Sequence, residues 1–248
     1  MTVGIVIPAY NAASTLPSVL GRIDDACAGL DLHGIWIVND GSADATGQVA
    51  AEAAAHDTRL TAIDLPANRG YGGAVKVGLR AARSAGLSVV ACVHADGQYA
   101  PERLPALLET LRRRRLDVLQ GSRIASGTAL SGGMPLYKYL VGRALTAMEN
   151  RVFDLRMSDY HSGYLVYGPR ALQQIPFARL SDSFDFDLEV IASARAAGLS
   201  IGELPIPTHY GDEVSHLNPI TYGLRVLRVM AGYLAGRYHP GHADGGIR

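Results

Sequence analysis

The heptapeptide Val93-His94-Ala95-Asp96-Gly97-Gln98-Tyr99 sets an imidazole, a carboxylate and a carboxamide at alternate positions, directly after the apolar run from Ser88 to Cys92. In an extended chain, residues two apart point to the same side. His94, Asp96 and Gln98 are therefore expected to converge on one point, and a metal ion is the obvious occupant. For His94 the alternative is a hydrogen-bonded packing histidine.

Two further polar stretches follow apolar runs. In "VNDGSAD", Asn39 and Asp40 are short polar side chains at a strand end, and Gly41 permits a tight turn into a helix that Ser42 or Asp44 caps. Either residue suits a hydrogen bond to a nucleobase or ribose, and the competing reading is a turn and a cap alone. In "NRGYGGAVKVG", the glycines at 70, 72 and 73 open a helix. They let backbone and helix N-terminus approach a phosphate, with Arg69 and Lys76 adding charge, or else they serve close helix packing. The pattern matches neither the dinucleotide fingerprint nor the P-loop. Further on, Asp185, Asp187 and Glu189 in "FDFDLE" are the carboxylates best placed to act as a general base, with N-terminal dipole complementarity as the alternative.

These motifs need a scaffold that brings strand ends together. From Val3 to Arg123, apolar runs (3–8, 34–39, 60–65, 88–94, 117–121) alternate with helical patterns (14–30, 43–56, 72–85, 101–115). That rhythm predicts a doubly wound, mostly parallel sheet, which binds ligands at the carboxyl ends of its strands. Beyond Gly127 the rhythm changes to a long helix over 135–153, a strand over 164–167, a helix over 187–197, a strand over 201–206 and a final helix over 219–237. Residues 239–248 read as a disordered tail. The last helix places Leu224, Leu227, Met230 and Leu234 on one stripe, beside Arg225 and Arg228. The stripe reads as a packed face, with a membrane-surface or homodimer contact as the alternative.

The 248 residues, 48% of them hydrophobic, suffice for one compact body, and 23 basic against 23 acidic residues exclude the basic footprint expected of a nucleic-acid binder. Cys27 and Cys92 lack CxxC partners, so a reduced, cytoplasmic setting is expected. The opening "MTVGIVIPAY" lacks the basic region and apolar length of a signal peptide, and no apolar run reaches the roughly 18 to 20 residues that cross a bilayer, so a soluble or peripheral protein is expected.

The ordered set "IVIPAYNA", "VNDGSAD", "NRGYGGA", "HADGQY" and "GSR" resembles the nucleotide-sugar-binding half of glycosyltransferase family 2. The resemblance continues through "SDYHSGYLVYG", "FDFDLEV" and "YGLRVLRV", and is nearest to the dolichyl-phosphate mannose synthase-like, polyprenyl-phosphate branch. It implies a single GT-A domain over 1–248, with a Rossmann-like donor half (1–124) and a helical and mixed acceptor half (125–238). The implied donor is an NDP-sugar, UDP- or GDP-linked, and the reaction inverts the anomeric carbon. Implied donor contacts are Pro8, Ala9, Tyr10, Asn11, Asn39, Asp40, Asn68, Gly70, Gly72, Lys76, Ala95 and Asp96.

The family's Asp-x-Asp, which holds a divalent ion against the diphosphate, has His94 at its first position here. Asp96 is then the principal ligand, Gln98 a supporting one, and His94 a ligand or a neighbour of one. Oxygen donors suit Mg²⁺ or Mn²⁺, and a nitrogen ligand tilts the choice toward Mn²⁺. Asp187, Asp185 and Arg123 are the catalytic candidates, and Ser122, Arg123, Ser162, His209 and Ser215 the acceptor contacts.

The acceptor is a polyprenyl phosphate, which needs no strong base but needs basic partners such as Arg123, Lys138, Arg143 and Arg151, or else a small-molecule or saccharide hydroxyl. Leu165 stands where the family carries an arginine, and His209 or Tyr210 occupies another expected arginine position, which keeps the hydroxyl reading open. Peripheral membrane contact follows from a lipid acceptor. Two other functions fit a metal-bearing nucleotide fold: a sugar-1-phosphate nucleotidyltransferase, and a non-catalytic sugar-nucleotide-binding protein.

Overall fold

A computed structural model describes residues 1–125, 127, 136–207 and 219–239. The donor half alternates strand and helix as β1 (Val3–Ala9), α1 (Leu16–Cys27), β2 (Leu32–Asn39), α2 (Thr46–His56), β3 (Leu60–Asp64), α3 (Tyr71–Ser84), β4 (Val89–Cys92), α4 (Leu104–Arg113) and β5 (Val118–Ser122). Then follow α5 (Leu136–Phe153), β6 (Leu165–Tyr167), α6 (Pro169–Gln174), α7 (Phe186–Ala196), β7 (Ile201–Pro205) and α8 (Pro219–Leu234).

One sheet in the order β3-β2-β1-β4-β6-β5-β7 runs through the molecule. Only β6 is antiparallel to its neighbours among the described strands. Alternation along each strand sorts the core into two layers. Ile5, Ile7, Val89 and Ala91 pack with α1 and α4 on one face, while Val6, Val90 and Cys92 pack with α3, α7 and α8 on the other. Burial on both faces explains why these strands read as near-continuous apolar runs. In α1, Leu16, Val19, Ile23 and Cys27 recur every three or four residues and form the buried stripe.

Three expectations need correction. The fourth strand ends at Cys92 rather than His94. The short α6, entered through Pro169, has too few residues for a helical period to show. On α8 the buried face is Val226, Val229 and Met230, whereas Leu224, Leu227 and Leu234 are 63%, 45% and 71% exposed. Most of the stripe expected to pack is therefore the outer one. Both cysteines are free and buried.

Candidate active site

The strand order reverses at the neighbours β1 and β4, and in an open α/β sheet the crevice beyond that point receives the ligand. Four of the sequence motifs meet around it. From β1, half-buried Pro8 and buried Ala9 lead to exposed Tyr10 and to Asn11, whose φ of 49° turns the chain. Asn11 donates its backbone N–H to Ser42 Oγ (2.9 Å) and accepts from the Ala43 N–H (2.9 Å), which pins the β1 loop to the β2 loop.

At the end of β2, buried Asn39 bonds Asp64 and accepts from Ser42 Oγ (2.5 Å). Asp40 is buried too. Its Oδ1 accepts the Arg69 N–H (2.7 Å), and burial, only partly offset by backbone bonds from Arg69 and Gly70, raises its pKa above the ordinary carboxylate range. Asn68 in turn accepts the Gly70 N–H (3.0 Å). A Cβ at Gly41, whose φ is 63°, would lie about one bond length too close to this loop, at 2.5 Å from the Asn68 nitrogen.

The glycines before α3 serve the chain's own backbone. Cβ atoms at Gly70 and Gly72 would collide with the carbonyls of Asp182 and Ser181, and Gly73 donates to the Asp182 carbonyl (3.1 Å). Lys76 Nζ is held by the Leu180 carbonyl (2.8 Å) and Asp182 (2.6 Å). The N-terminus of α3, where a phosphate was expected on Gly70, Gly72 and Lys76, thus faces the carbonyl oxygens of Ser181 and Asp182.

The period-two pattern that opened the reading persists as far as His94, which follows Val90 and Cys92 toward α3. Residues 95–97 then turn, with Gly97 at a φ of 74°, and the Gln98 N–H donates to Asp96 Oδ1 (3.0 Å). Arg22 fixes that turn, donating to the Gly97 carbonyl (3.1 Å) while pairing with Glu102 (2.6 Å). Asp96 and Gln98 stand half-buried at the rim, with the Gly97 turn between them, and the three expected ligands do not share one face of an extended strand. Physically, a single positive-φ glycine suffices to break the alternation.

His94 is half-buried in an aromatic setting. Its Nε2 lies 3.2 Å from the Tyr71 hydroxyl, and its ring meets Tyr99 edge-on at 4.8 Å. Burial holds the imidazole below its ordinary pKa, against the raising charge of Asp96 and with the help of Arg123. Tyr71 also donates to Asp187 Oδ1 (3.2 Å), so His94, Tyr71 and Asp187 form a chain. Asp187 is only 6% exposed, and burial raises its carboxyl to about 7 although the Tyr71 hydrogen bond pulls the other way. Asp185 is occupied by Ser181 Oγ (2.8 Å) and Arg225 (3.1 Å), and Glu189 by Ser181 and the Tyr238 hydroxyl (2.7 Å). Of the three, Asp187 alone reaches toward the β4 rim.

Arg123, just past β5, donates to the His161 carbonyl (2.8 Å) and stacks its guanidinium over Tyr99 at 5.5 Å. Ser122 and Ser162 are wholly buried: Ser122 Oγ shares a hydrogen bond with Ser158 Oγ (2.7 Å), and Ser162 Oγ donates to the Gly121 carbonyl (2.5 Å). Both hydroxyls are thus engaged within the protein by hydrogen bonds to residues far off in sequence. His209, Tyr210 and Ser215 lie outside the described residues. Tyr71, Tyr99 and Gly163, which close the site, were missed in sequence. The one signal was an aromatic residue set among glycines in "NRGYGGA".

Among the described residues no cluster of three or more His, Cys, Asp or Glu could cage an ion. Mg²⁺ and Mn²⁺ seldom need one, since one or two carboxylates plus substrate phosphates hold them in phosphate-transferring sites. Asp96 Oδ2 and the Gln98 side chain fit that sparser donor set.

The family model for glycosyl transferase family 2 matches residues 4–175. The chain belongs to glycosyl transferase family 2. It is 31% identical over 207 residues to an undecaprenyl-phosphate mannosyltransferase of Micrococcus luteus, covering 83% of each chain. It is 29% identical to a polyprenol monophosphomannose synthase of Mycolicibacterium smegmatis, covering 82% of this chain and 75% of that one. These names match the expected polyprenyl-phosphate branch.

In fold it is similar to glucosyl-3-phosphoglycerate synthase from Mycobacterium tuberculosis, solved with Mn²⁺, UDP and product. The TM-score is 0.66 at 16% identity, over 99% of this chain and 82% of that one. The GT-A architecture and the transferase class therefore hold for this glycosyltransferase, and the nucleotidyltransferase and non-catalytic readings fall away.

Proposed function

We propose that this glycosyltransferase moves a sugar, with inversion, from a UDP- or GDP-linked donor to a polyprenyl phosphate at a membrane surface. The observation that carries the reading is the likeness along 83% of both chains to a relative named for undecaprenyl phosphate. Asp96, with Gln98, would hold Mg²⁺ or Mn²⁺ at the rim of β4. That ion supplies a Lewis acid for the charge left on the departing diphosphate. The loops after β1 and β2, with Asn11, Asn39 and Asp40, would shape the nucleoside cleft. A phosphate acceptor is already an anion, so the demand falls on positive charge, which Arg123 brings to the opposite flank of Tyr99.

The outer faces of α5 and α8 support a peripheral membrane position. Leu136, Leu140, Val141, Met148, Leu224, Leu227 and Leu234 are exposed there, with Arg143, Arg151 and Arg228 beside them and no acidic side chain among the exposed described residues of either helix. Such a face suits an anionic bilayer. No helix among the described residues is long and apolar enough to cross a membrane. A hydroxyl acceptor is the second reading, favoured by Leu165, which is fully buried where the family carries an arginine. Asp187 would then serve as base.

The test of donor and ion is a thermal-shift panel of nucleoside diphosphates with and without Mn²⁺. A single base should raise the melting temperature only with the ion present. No shift with any nucleotide would refute the donor assignment.

A further inference from the structure

His161 lies at the meeting of four elements. Its Nδ1 is 2.9 Å from the Tyr222 hydroxyl on α8, and its Nε2 is 3.4 Å from Glu149 Oε2 on α5. Its backbone N–H donates to Asp159 Oδ1 (2.8 Å), and its carbonyl accepts from Arg123 (2.8 Å). Glu149 is 0% exposed, so its charge has left water, and the ion-pair partner set against it among the described residues is this imidazole. A buried carboxylate without a cationic partner is costly, and an imidazolium sets its charge beside Glu149 as an ion pair at 3.4 Å while its Nδ1–H reaches the Tyr222 hydroxyl. Nothing in the donor site uses this pair.

We infer that His161 is a positioning residue: clamped between α5 and α8, it fixes the carbonyl that orients the Arg123 guanidinium toward the acceptor phosphate. The inference rests on the reading of Arg123 as an acceptor contact. It adds that the helices proposed to lie on the bilayer also set the reach of that arginine. The groups facing His161 are Glu149 from α5, Tyr222 from α8, Arg123 from the end of β5 and Asp159 from its own loop. Burial lowers the imidazole pKa, but the contact and charge of Glu149, aided by Asp159, leave it above the ordinary value. The clamp is charged below that raised value and is lost as pH rises through it.

The test is steady-state transfer to a polyprenyl phosphate in detergent micelles, with acceptor and donor varied separately. It compares wild type with Arg123→Ala, His161→Phe, Glu149→Gln and the double variant Arg123→Ala/His161→Phe. Glu149→Gln keeps the size of the side chain and guards against misfolding of His161→Phe. His161→Phe and Glu149→Gln should each raise the acceptor KM about tenfold with the donor KM moved less than about twofold, since small displacements of a positioning group have effects of that order. The double variant should be no worse than Arg123→Ala alone. In wild type the acceptor KM should climb as pH rises through the raised imidazole value, and Glu149→Gln should shift that climb to lower pH.

An unchanged acceptor KM in both His161→Phe and Glu149→Gln, beside a raised one in Arg123→Ala, would overturn the clamp and leave the Arg123 reading standing. An unchanged KM in Arg123→Ala would overturn both. Equal rises in donor and acceptor KM would reduce His161 to general structure.

Discussion

Asp187→Asn should stabilise the protein at alkaline pH, because the carboxyl sits where its charged form is penalised. Burial raises its pKa from 3.8 to about 7. That is about three units, and at about 1.4 kcal/mol per unit the buried charge costs about 4 kcal/mol above neutral pH. The sign follows from proton linkage: the native state binds the proton more tightly than the unfolded chain. The group's stabilising contribution is complete below pH 4 and is lost as pH rises to about 7. Asparagine keeps an acceptor for the Tyr71 hydroxyl and cannot ionise, so it escapes the loss. By pH 5 about 1.7 kcal/mol of that contribution is already lost, so denaturant melts at pH 5 and pH 8 should show the variant gaining about 2.6 kcal/mol over wild type between the two, or roughly 5 to 10 °C in Tm for a chain of this size. A difference between variant and wild type that stays flat with pH would refute the claim that Asp187 is held near neutrality by burial.

Gly163→Ala should damage the site from behind, since its Cβ would collide with His94 Nε2 and lie 2.8 Å from the Tyr71 hydroxyl. We expect about 2 kcal/mol of destabilisation and a fall in kcat, read by denaturant titration and a transfer assay. A neutral variant would show that His94 and Tyr71 are free to move. Leu224→Glu with Leu227→Glu should weaken binding to anionic vesicles roughly a hundredfold in a sedimentation assay, the equivalent of about 3 kcal/mol of lost apolar burial. Undiminished binding would remove α8 from the membrane face.

What could be read in advance follows the range of the forces involved. The inner strands β1, β2, β4, β5 and β6 were legible because double burial leaves a local apolar run. Their carboxyl ends were legible because polar residues gather there. The environment of α3 was not, because what faces Gly70 and Gly72 is a loop more than a hundred residues downstream, at Ser181 and Asp182. The same holds for Ser122 and Ser162, whose types suggest a ligand while their hydroxyls are held by hydrogen bonds to residues 36 and 41 positions away in the chain. On α8, spacing alone could not tell which of two apolar stripes, Leu224–Leu227–Leu234 or Val226–Val229–Met230, would meet the core. The turn at Gly97 had a local signal, the positive-φ tolerance of glycine after an aspartate, and an alternating template overrode it.

The central claim is that Asp96, through a divalent ion, lets a sugar leave its diphosphate for a lipid phosphate. The direct measurement is transfer of radiolabelled sugar from a set of UDP- and GDP-sugars into an organic-extractable polyprenyl phosphate product, by wild type and Asp96→Ala, with Mn²⁺ or with EDTA. The account predicts lipid-linked label only for wild type with the ion, and a loss of at least about a thousandfold in Asp96→Ala. Equal label in Asp96→Ala, or in EDTA, would contradict it.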